Sequence, residues 1–330
     1  MTEIKTIYPM LASGGKLEGS LWDNPEWWAD TKVDGARYLM FIGKEGNRFT
    51  SRQKSRKTGL PVEKTENVPH LAKMDLGFLA GTILDGEMQH NDFSKTVSVM
   101  GSLPERAIAL QEEIGWINYH VFDVLEYKGE DVRELPYYAR RKLLDEIMLQ
   151  MRKNDFNCFI DTTTVAKENK REFYENIVQK GGEGVILKNI HGKYKDGERS
   201  KDWVKIKRYL TDDVVIIGST LPSKIYDGKD RENWEYWEDG KPVTRAWYNG
   251  WLGAIRFGKF KDGKLVELGQ TSGIDDQMKE LLSDGNHGIK EEYIGTVIEI
   301  GAMEQLKSGA YRHPRFVRLR PDRDAEGCVL

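Results

Sequence analysis

Cysteine is nearly absent from this chain, whose 330 residues include only Cys158 and Cys328 and no CxxC pair. This scarcity argues against a disulfide framework or a cysteine-based zinc site, and it predicts a reducing, cytoplasmic setting. No run approaches the roughly 18 apolar residues that a membrane-spanning helix needs, and the N-terminus lacks the apolar stretch of a signal peptide. We expect an intracellular monomer that works without a membrane.

The chain also has little net charge. Its value of −3 gives the whole molecule no general attraction for nucleic acid, but positive charge is concentrated in three segments. These segments are 51–59 (SRQKSRKTG), 200–208 (SKDWVKIKR) and 312–323 (RHPRFVRLRPDR). Local basic patches on an acidic protein favour a phosphate-rich partner, although charge runs on solvated surface are the simpler interpretation of any single patch.

Strands and helices mix in the first two hundred residues. The apolar run Tyr38–Ile42 is followed by a glycine-containing turn, which predicts a β-hairpin with the residues after 47. Apolar residues at helical spacing predict helices over 134–153 and 165–180.

The pattern changes near residue 208. Five short strand candidates and one short helix candidate follow, which is typical of a small closed barrel of the OB type. We therefore predict an α+β protein with domains 1–208 and 209–330. Residues 222–250 are long and aromatic-rich for a barrel loop and are interpreted as an insertion, either a DNA-contacting loop or a loop folded onto its own barrel.

Six short motifs follow one another in order. They are KVDGAR (32–37), LDGE (84–87), YHVFD (119–123), EGVI (183–186), WVKIK (203–207) and RFVRLRPDR (315–323). This series resembles the ordered motifs of the covalent nucleotidyltransferases, most closely those of the ATP-dependent DNA ligases, and it runs from Asp30 to Asp324. The resemblance implies an adenylation domain of antiparallel sheets with flanking helices, followed by an OB-fold barrel. We expect a compact ligase of the bacteriophage or bacterial type.

The resemblance implies that Lys32 attacks the α-phosphate of ATP and becomes a lysyl-AMP. A lysine amine of ordinary pKa, about 10.4, is protonated at neutral pH and cannot attack. Nearby cations favour the neutral amine, and Arg37, Arg52, Lys205 and Lys207, with a bound metal ion, are candidates to supply them. Alternate residues of a strand share a face, so the two lysines of WVKIK would grip one phosphate chain.

The same alternation places Glu183 and Val185 on one face and Lys188 on the opposite face, where we interpret it as structural. In the ligases that the chain resembles, Glu183 would bind catalytic Mg²⁺ and Val185 would pack against one side of adenine. Phe122 would stack on the other side. The resemblance assigns Glu87 to the ribose, to a metal, or to both.

Asp30 bears on the choice of base. ATP-dependent ligases often carry a Glu two residues before the nucleophile, which accepts a hydrogen bond from the adenine 6-amino group. Here the residue is Asp, one methylene shorter. A carboxylate still favours ATP, because guanine presents a carbonyl at that position.

The last motif alternates too. Arg318 and Arg320 would share one face, and Val317 and Leu319 the face toward the barrel. The resemblance implies that Arg320, Asp322 and Arg323 bind ATP and orient its β- and γ-phosphates. A basic strand that binds DNA phosphate is the alternative.

The predicted activity is therefore the sealing of nicks in duplex DNA with ATP and Mg²⁺. RNA ligases and GTP-dependent mRNA capping enzymes share the lysine motif and remain alternatives. A catalytically silent nick- or DNA-binding module is an alternative of a different class.

Overall fold

The computed structural model describes residues 6–15, 17, 19–55, 57–153, 159–306 and 308–330, so Arg56 and Cys158 lie outside the described residues. The chain divides into two units between Arg208 and Tyr209, where the sequence pattern also changes. No helix within these described ranges has the length and apolar character to cross a membrane.

The first unit, up to Arg208, is built on two sheets. Its strands are β1 (Leu11–Gly14), β2 (Trp27–Thr31), β3 (Ala36–Ile42), β4 (Asn47–Lys54), β5 (Pro61–Glu63), β6 (Ile83–Gln89), β7 (Asn118–Tyr127), β8 (Glu130–Asp131), β9 (Ile160–Thr162), β10 (Val165–Ala166), β11 (Gly184–Asn189) and β12 (Arg199–Lys207). One sheet has the order β1-β12-β11-β2-β10. The other has the order β5-β4-β3-β6-β7-β8, with β9 beside β7.

The predicted hairpin is confirmed, because Ile42 pairs with Asn47 and Tyr38 with Ser51 across β3 and β4. Between β2 and β3 the chain turns at Asp34-Gly35. A Cβ at Gly35 would lie 2.1 Å from the carbonyl oxygen of Met88, so this close approach to β6 requires glycine.

The helices of the first unit cover its sheets. They are α1 (Pro69–Ala72), α2 (Phe93–Gly101), α3 (Pro104–Ile114), α4 (Tyr137–Lys153) and α5 (Lys170–Gln179). The helix predicted over 134–153 is α4, which starts after Pro136 and buries Leu144, Ile147, Met148 and Met151. The helix predicted from 165 is wrong at its start. Val165–Ala166 pairs with β2 as a strand, and Asn169 has a left-handed φ of 49°, which no α-helix continues through.

A small core contains side chains from both sheets of the first unit. Trp203 and Ile186 come from the first sheet, whereas Leu39 and Phe122 come from the second. The opposite face of the first sheet packs with α5 through Val185, Leu187 and Tyr174. Strands β11 and β12 therefore present some side chains toward the second sheet and others toward α5.

The second unit, from Tyr209, is a barrel. Its strands are β13 (Leu210–Ser219), β14 (Trp237–Glu238), β15 (Lys241–Pro242), β16 (Ile255–Lys261), β17 (Lys264–Thr271), β18 (Val297–Ala302), β19 (Glu304–Gln305), β20 (Tyr311–Arg312) and β21 (Arg315–Leu319). The main sheet has the order β17-β16-β13-β18-β21, and a bridge between Ser272 and Arg315 joins its two ends. Helix α7 (Asp276–Leu282) lies between β17 and β18, where the sequence predicted a short helix. Helix α6 (Arg245–Tyr248) lies in the insertion. This strand order and helix position are those of an OB barrel.

Candidate functional site

Three side chains meet at the end of β2. The Lys32 backbone N–H donates to the carbonyl of Gly184 at 3.0 Å, which fixes the residue beside β11. Its Nζ lies 2.6 Å from Oε2 of Glu183, and Nζ of Lys207 lies 2.9 Å from Oε1. The Glu183 side chain is only 4% exposed, while those of Lys32 and Lys207 are 21% and 33% exposed. One buried carboxylate thus holds two ammonium groups that remain accessible to a ligand.

Lys205 lies in the same neighbourhood and extends the positive field. Burial lowers its pKa, and the cations Lys207, Arg199, Lys32 and Arg52 lower it further. Arg52 is exposed and Lys205 half-buried. The structure therefore brings together the three predicted lysines and Arg52, and it adds Arg199. Arg199 begins the same strand as Lys205, but the pairing of β1 with β12 shifts register between these two residues, so alternation along the sequence gave no signal for it.

The face of β11 differs from the predicted one. Ile186 is the cross-strand partner of both Asp30 and Lys205, so it shares their face. Val185 is fully buried against α5 on the other side, so its predicted contact with adenine is wrong. Ile186 instead packs against the same cluster as Phe122.

A glycine explains the difference. Gly184 has φ of 134°, and a Cβ there would lie 2.1 Å from the carbonyl oxygen of Ile206. This conformation interrupts simple alternation between Glu183 and the strand that follows. Strict alternation from Glu183 therefore predicted Val185, and not Ile186, on the face of Asp30 and Lys205.

Lys188 lies on the face opposite Val185, as predicted, and this is the face of Asp30. Its Nζ is 2.6 Å from Oδ2 of Asp30, and both side chains are 1% exposed. Burial lowers the pKa of Lys188, and the charge of Asp30 opposes this effect. The ammonium also lies over three aromatic rings, 4.3 Å from the centroid of Trp203, 4.6 Å from Tyr137 and 5.0 Å from Phe122.

One carboxylate oxygen of Asp30 accepts no hydrogen bond. Its Oδ2 accepts from Lys188 and, at 3.3 Å, from the hydroxyl of Tyr137. Its Oδ1 is buried and has no hydrogen-bond partner. A buried acceptor left unpaired costs roughly 1–3 kcal/mol, so a ligand that donates a hydrogen bond there would be favoured.

Arg37 is held away from solvent by a buried acid that the sequence interpretation missed. Its guanidinium makes two hydrogen bonds to Asp85, at 2.9 and 2.5 Å, and a third to the carbonyl of Met10 at 2.6 Å. The hydroxyl of Tyr194 donates to Asp85 at 2.7 Å. Burial opposes the charge of Arg37, but Asp85 holds its pKa above the ordinary value. The guanidinium lies 5.2 Å from the ring of Phe122, so it supports that ring.

Glu87 lies opposite Arg37 on the neighbouring strand. Burial raises its pKa to about 7, the charges of Lys32 and Arg37 oppose the rise, and the charge of Glu183 adds to it. Glu87 and Glu183 are thus close enough for their charges to interact. The parts of the chain that the structure describes contain no group of three or more His, Cys, Asp or Glu arranged around one point.

The carboxylates of Glu87 and Glu183 fit Mg²⁺ as a pair of protein ligands. Mg²⁺ is commonly held by one or two carboxylates, with water and substrate phosphate oxygens completing its shell. The residues present supply that number of protein ligands and the hard oxygen donors the ion prefers.

The last motif is paired within the second unit. Arg320 donates to both oxygens of Asp322, each at 2.9 Å, and to Asp213 at 3.0 Å. Nε of Arg323 lies 3.5 Å from the other oxygen of Asp213. The pairing with Arg320 lowers the pKa of Asp322 to about 2. Arg320, Asp322 and Arg323 therefore form one connected group.

The predicted face of Val317 is wrong. A bulge opposite Glu299 and Ile300 shifts the register of β21, so Phe316 and Leu319 pack against the barrel core. Val317 is 41% exposed. Bulges insert one extra residue and break alternation, and the sequence carried no glycine or proline to signal this one.

A strand-end lysine paired with a buried carboxylate in the first unit, in a chain whose second unit has OB topology, is typical of a covalent nucleotidyltransferase. The family model described as "ATP dependent DNA ligase domain" matches residues 9–207, and the chain belongs to this family. The match covers the first unit, including the residues around Lys32, Glu183 and Lys207.

Known DNA ligases resemble the chain beyond this segment. A DNA ligase of Methanocorpusculum labreanum is 26% identical over 98% of the chain and 57% of its own length. One of Archaeoglobus fulgidus is 28% identical over 91% of the chain and 52% of its own length. The chain thus spans about half the length of these relatives. The ligase domain of LigD from M. tuberculosis has the same fold, with a TM-score of 0.51 and 22% identity over 98% of both chains.

Proposed function

We propose that the chain is an ATP-dependent DNA ligase that seals nicks in duplex DNA as a monomer. The observation that carries the proposal is the Glu183 carboxylate that holds the ammonium groups of Lys32 and Lys207, with Lys205 and Arg52 adjoining. Membership of the ligase family and the OB barrel support the same activity.

The first step transfers AMP to Lys32. The triphosphate is attracted by Lys205, Lys207 and Arg52, which brings its α-phosphorus toward the lysine. After the ammonium has lost a proton to solvent, Nζ forms the N–P bond and the P–O bond to pyrophosphate breaks. Positioning and charge neutralisation supply most of the catalysis of phosphoryl transfer.

Magnesium would be held by Glu183 and Glu87. When bound, the ion neutralises charge that develops on the phosphate oxygens. Competition for Glu183 would also release Lys32 from its ion pair, because that carboxylate is the partner of the lysine in this structure. Arg320, Asp322 and Arg323 are proposed to orient the β- and γ-phosphates.

Base recognition is proposed for the pocket around Asp30. Its unpartnered Oδ1 suits the 6-amino group of adenine, while the carbonyl of guanine would bring a second acceptor against it. Phe122 and Ile186, which pack on one cluster, are proposed to contact the two sides of the base. Lys188 and Tyr137 fix the carboxylate in place.

The later steps act on DNA. AMP passes from Lys32 to the 5′-phosphate at a nick, which regenerates the lysine and gives an activated end. The adjacent 3′-hydroxyl then attacks that phosphorus, the phosphodiester bond forms and AMP leaves.

Labelled nucleotide tests the proposal. The protein is incubated with Mg²⁺ and with ATP or GTP labelled at the α-phosphate, and covalent label is measured on wild type, Lys32→Ala and Lys193→Ala. Lys193 is an exposed lysine paired with Glu134 and serves as the matched control. We expect label from ATP in wild type and Lys193→Ala and none in Lys32→Ala.

Two results would contradict it. Label from GTP alone would favour a capping enzyme, and label from neither nucleotide would favour a silent binding module. Parallel assays on nicked DNA and nicked RNA duplexes then distinguish a DNA ligase from an RNA ligase.

A further inference from the structure

The insertion in the barrel, residues 222–250, has a small core of its own. The rings of Tyr226 and Trp234 stack with centroids 3.7 Å apart, and Nε1 of Trp234 donates to the carbonyl of Val243. Val243 is 1% exposed. These contacts lie within the insertion itself, and they leave other aromatic residues of the insertion for a different task.

Three other rings of the insertion, those of Trp237, Trp247 and Tyr248, line a cleft of about 430 Å³ within the second unit. We call it the aromatic cleft; its lining includes Trp237, Glu238, Trp247, Tyr248, Asn249 and His287. Trp247 is already covered, because His287 stacks on it at 4.3 Å and Nζ of Lys224 lies 4.8 Å from its ring.

Trp237 is different. The residue is 43% exposed, and among the described residues no aromatic ring or cation covers its face. Its Nε1 donates to the carbonyl of Trp234 at 2.5 Å, which holds the indole in one orientation. Tyr248, also in the lining, is 58% exposed. An exposed, oriented tryptophan at a cleft is a stacking platform, and none of the described side chains occupies it.

The position of Trp237 follows from the local hairpin. Strands β14 and β15 are joined by Asp239-Gly240, whose φ values of 50° and 71° define a type I′ turn. Glu238 therefore lies opposite Lys241, and Trp237 opposite Pro242. The tight turn fixes the indole on a short rigid element.

The charges of the insertion indicate which part of a nucleic acid it could contact. Residues 222–250 contain six acidic and five basic side chains, so the segment offers no net attraction for a phosphate backbone. The cleft offers ring surface with two polar side chains at its edge: Glu238, whose Oε2 already accepts from Lys224 and from the Trp247 indole, and Asn249, whose amide nitrogen donates to the carbonyl of Arg245. Ring surface with polar groups at its edge complements a nucleobase, and in a duplex both faces of each base are already stacked. The match is to an unpaired base.

We propose that the aromatic cleft binds an unpaired nucleobase of single-stranded DNA, such as an overhang beside a strand break, by stacking on Trp237. The identification of DNA as the source of the base rests on the proposed ligase function. The cleft would let the protein hold a frayed or cohesive end by its bases. Lys241, beside Glu238 on the hairpin, offers a cation to the adjoining phosphate.

The test compares two ligands of equal backbone charge. Fluorescence anisotropy of the full chain is measured with a labelled single-stranded oligonucleotide and with an abasic oligonucleotide of the same length. The variants are Trp237→Ala, Trp237→Phe and Tyr138→Ala, the last being an exposed aromatic outside the cleft. We expect about a tenfold preference of wild type for the base-containing strand. The preference should vanish in Trp237→Ala, persist in part in Trp237→Phe and be unchanged in Tyr138→Ala.

Two results would overturn the proposal. They are equal binding of both oligonucleotides by wild type and an unaltered preference in Trp237→Ala. Self-adenylation of Trp237→Ala with labelled ATP serves as the folding control and should match wild type. If wild type fails to take AMP yet shows the base preference, the proposed ligase function fails and the cleft proposal stands.

Discussion

Replacing Lys188 with methionine should strongly destabilise the first unit. The lysine Nζ lies 2.6 Å from Asp30 Oδ2, and both side chains are 1% exposed. Without the ammonium, the carboxylate keeps only the hydroxyl of Tyr137, 3.3 Å from Oδ2, while Oδ1 already lacks a partner. Breaking a buried ion pair from one side costs about 3–5 kcal/mol, because a charge is left uncompensated.

The double variant Asp30→Asn/Lys188→Met separates the cost of an uncompensated buried charge from the cost of lost packing. Removing both charges should restore most of the lost free energy of unfolding, since no buried charge remains. Urea unfolding followed by tryptophan fluorescence suits the measurement, because Trp203 lies 4.3 Å from the Lys188 ammonium. A loss below about 1 kcal/mol in Lys188→Met, or a double variant as unstable as the sum of the single variants, would refute the reasoning.

Three further predictions concern neighbouring residues. Glu183→Gln removes the charge that holds the Lys32 ammonium and one proposed metal ligand, so covalent labelling with AMP should fall about 10–100-fold or more while the unfolding midpoint stays near that of wild type. Val185→Ala should lower the free energy of unfolding by about 2 kcal/mol and leave the KM for ATP unchanged, because Val185 packs against α5. Ile186→Ala should raise the KM for ATP. A raised KM in Val185→Ala with an unchanged KM in Ile186→Ala would restore Val185 as the base contact. Burial lowers the pKa of His70 below its ordinary 6.5, with the carbonyl of Ile117 opposing, so the folded protein disfavours the charged ring. Its stability contribution is therefore complete above pH 6.5 and is lost as the pH falls below that value, and thermal unfolding of His70→Gln should depend less steeply on pH in that range.

The sequence allowed the residues that meet at the site to be predicted better than the faces on which they lie. Lys32, Glu183 and Lys207 were named through the resemblance of their motifs to those of the ligases, and strand pairing between β2, β11 and β12 brings them together. The five barrel strands were also predictable, because glycines and turns separate their apolar runs.

The errors arose where one residue changes the backbone direction. Gly184 interrupts alternation, so Ile186 and not Val185 faces the lysines, and a bulge in β21 exposes Val317. Such irregularities depend on contacts with neighbouring strands that a single segment does not reveal.

The buried ion pairs were also not predicted from the sequence. Lys188 and Asp30 are far apart in the sequence, as are Arg37 and Asp85, and only tertiary pairing shows that each charge has a partner. A charged residue within an apolar strand, as Lys188 is within Gly184–Asn189, was the available signal.

The most direct test of the central claim is to identify the residue that carries AMP. The protein is incubated with ATP and Mg²⁺, its intact mass is measured, and proteolytic peptides are mapped by mass spectrometry. We predict one AMP per chain, attached to Nζ of Lys32 and released on addition of pyrophosphate. No adduct, or an adduct on another lysine such as Lys205 or Lys207, would contradict the account.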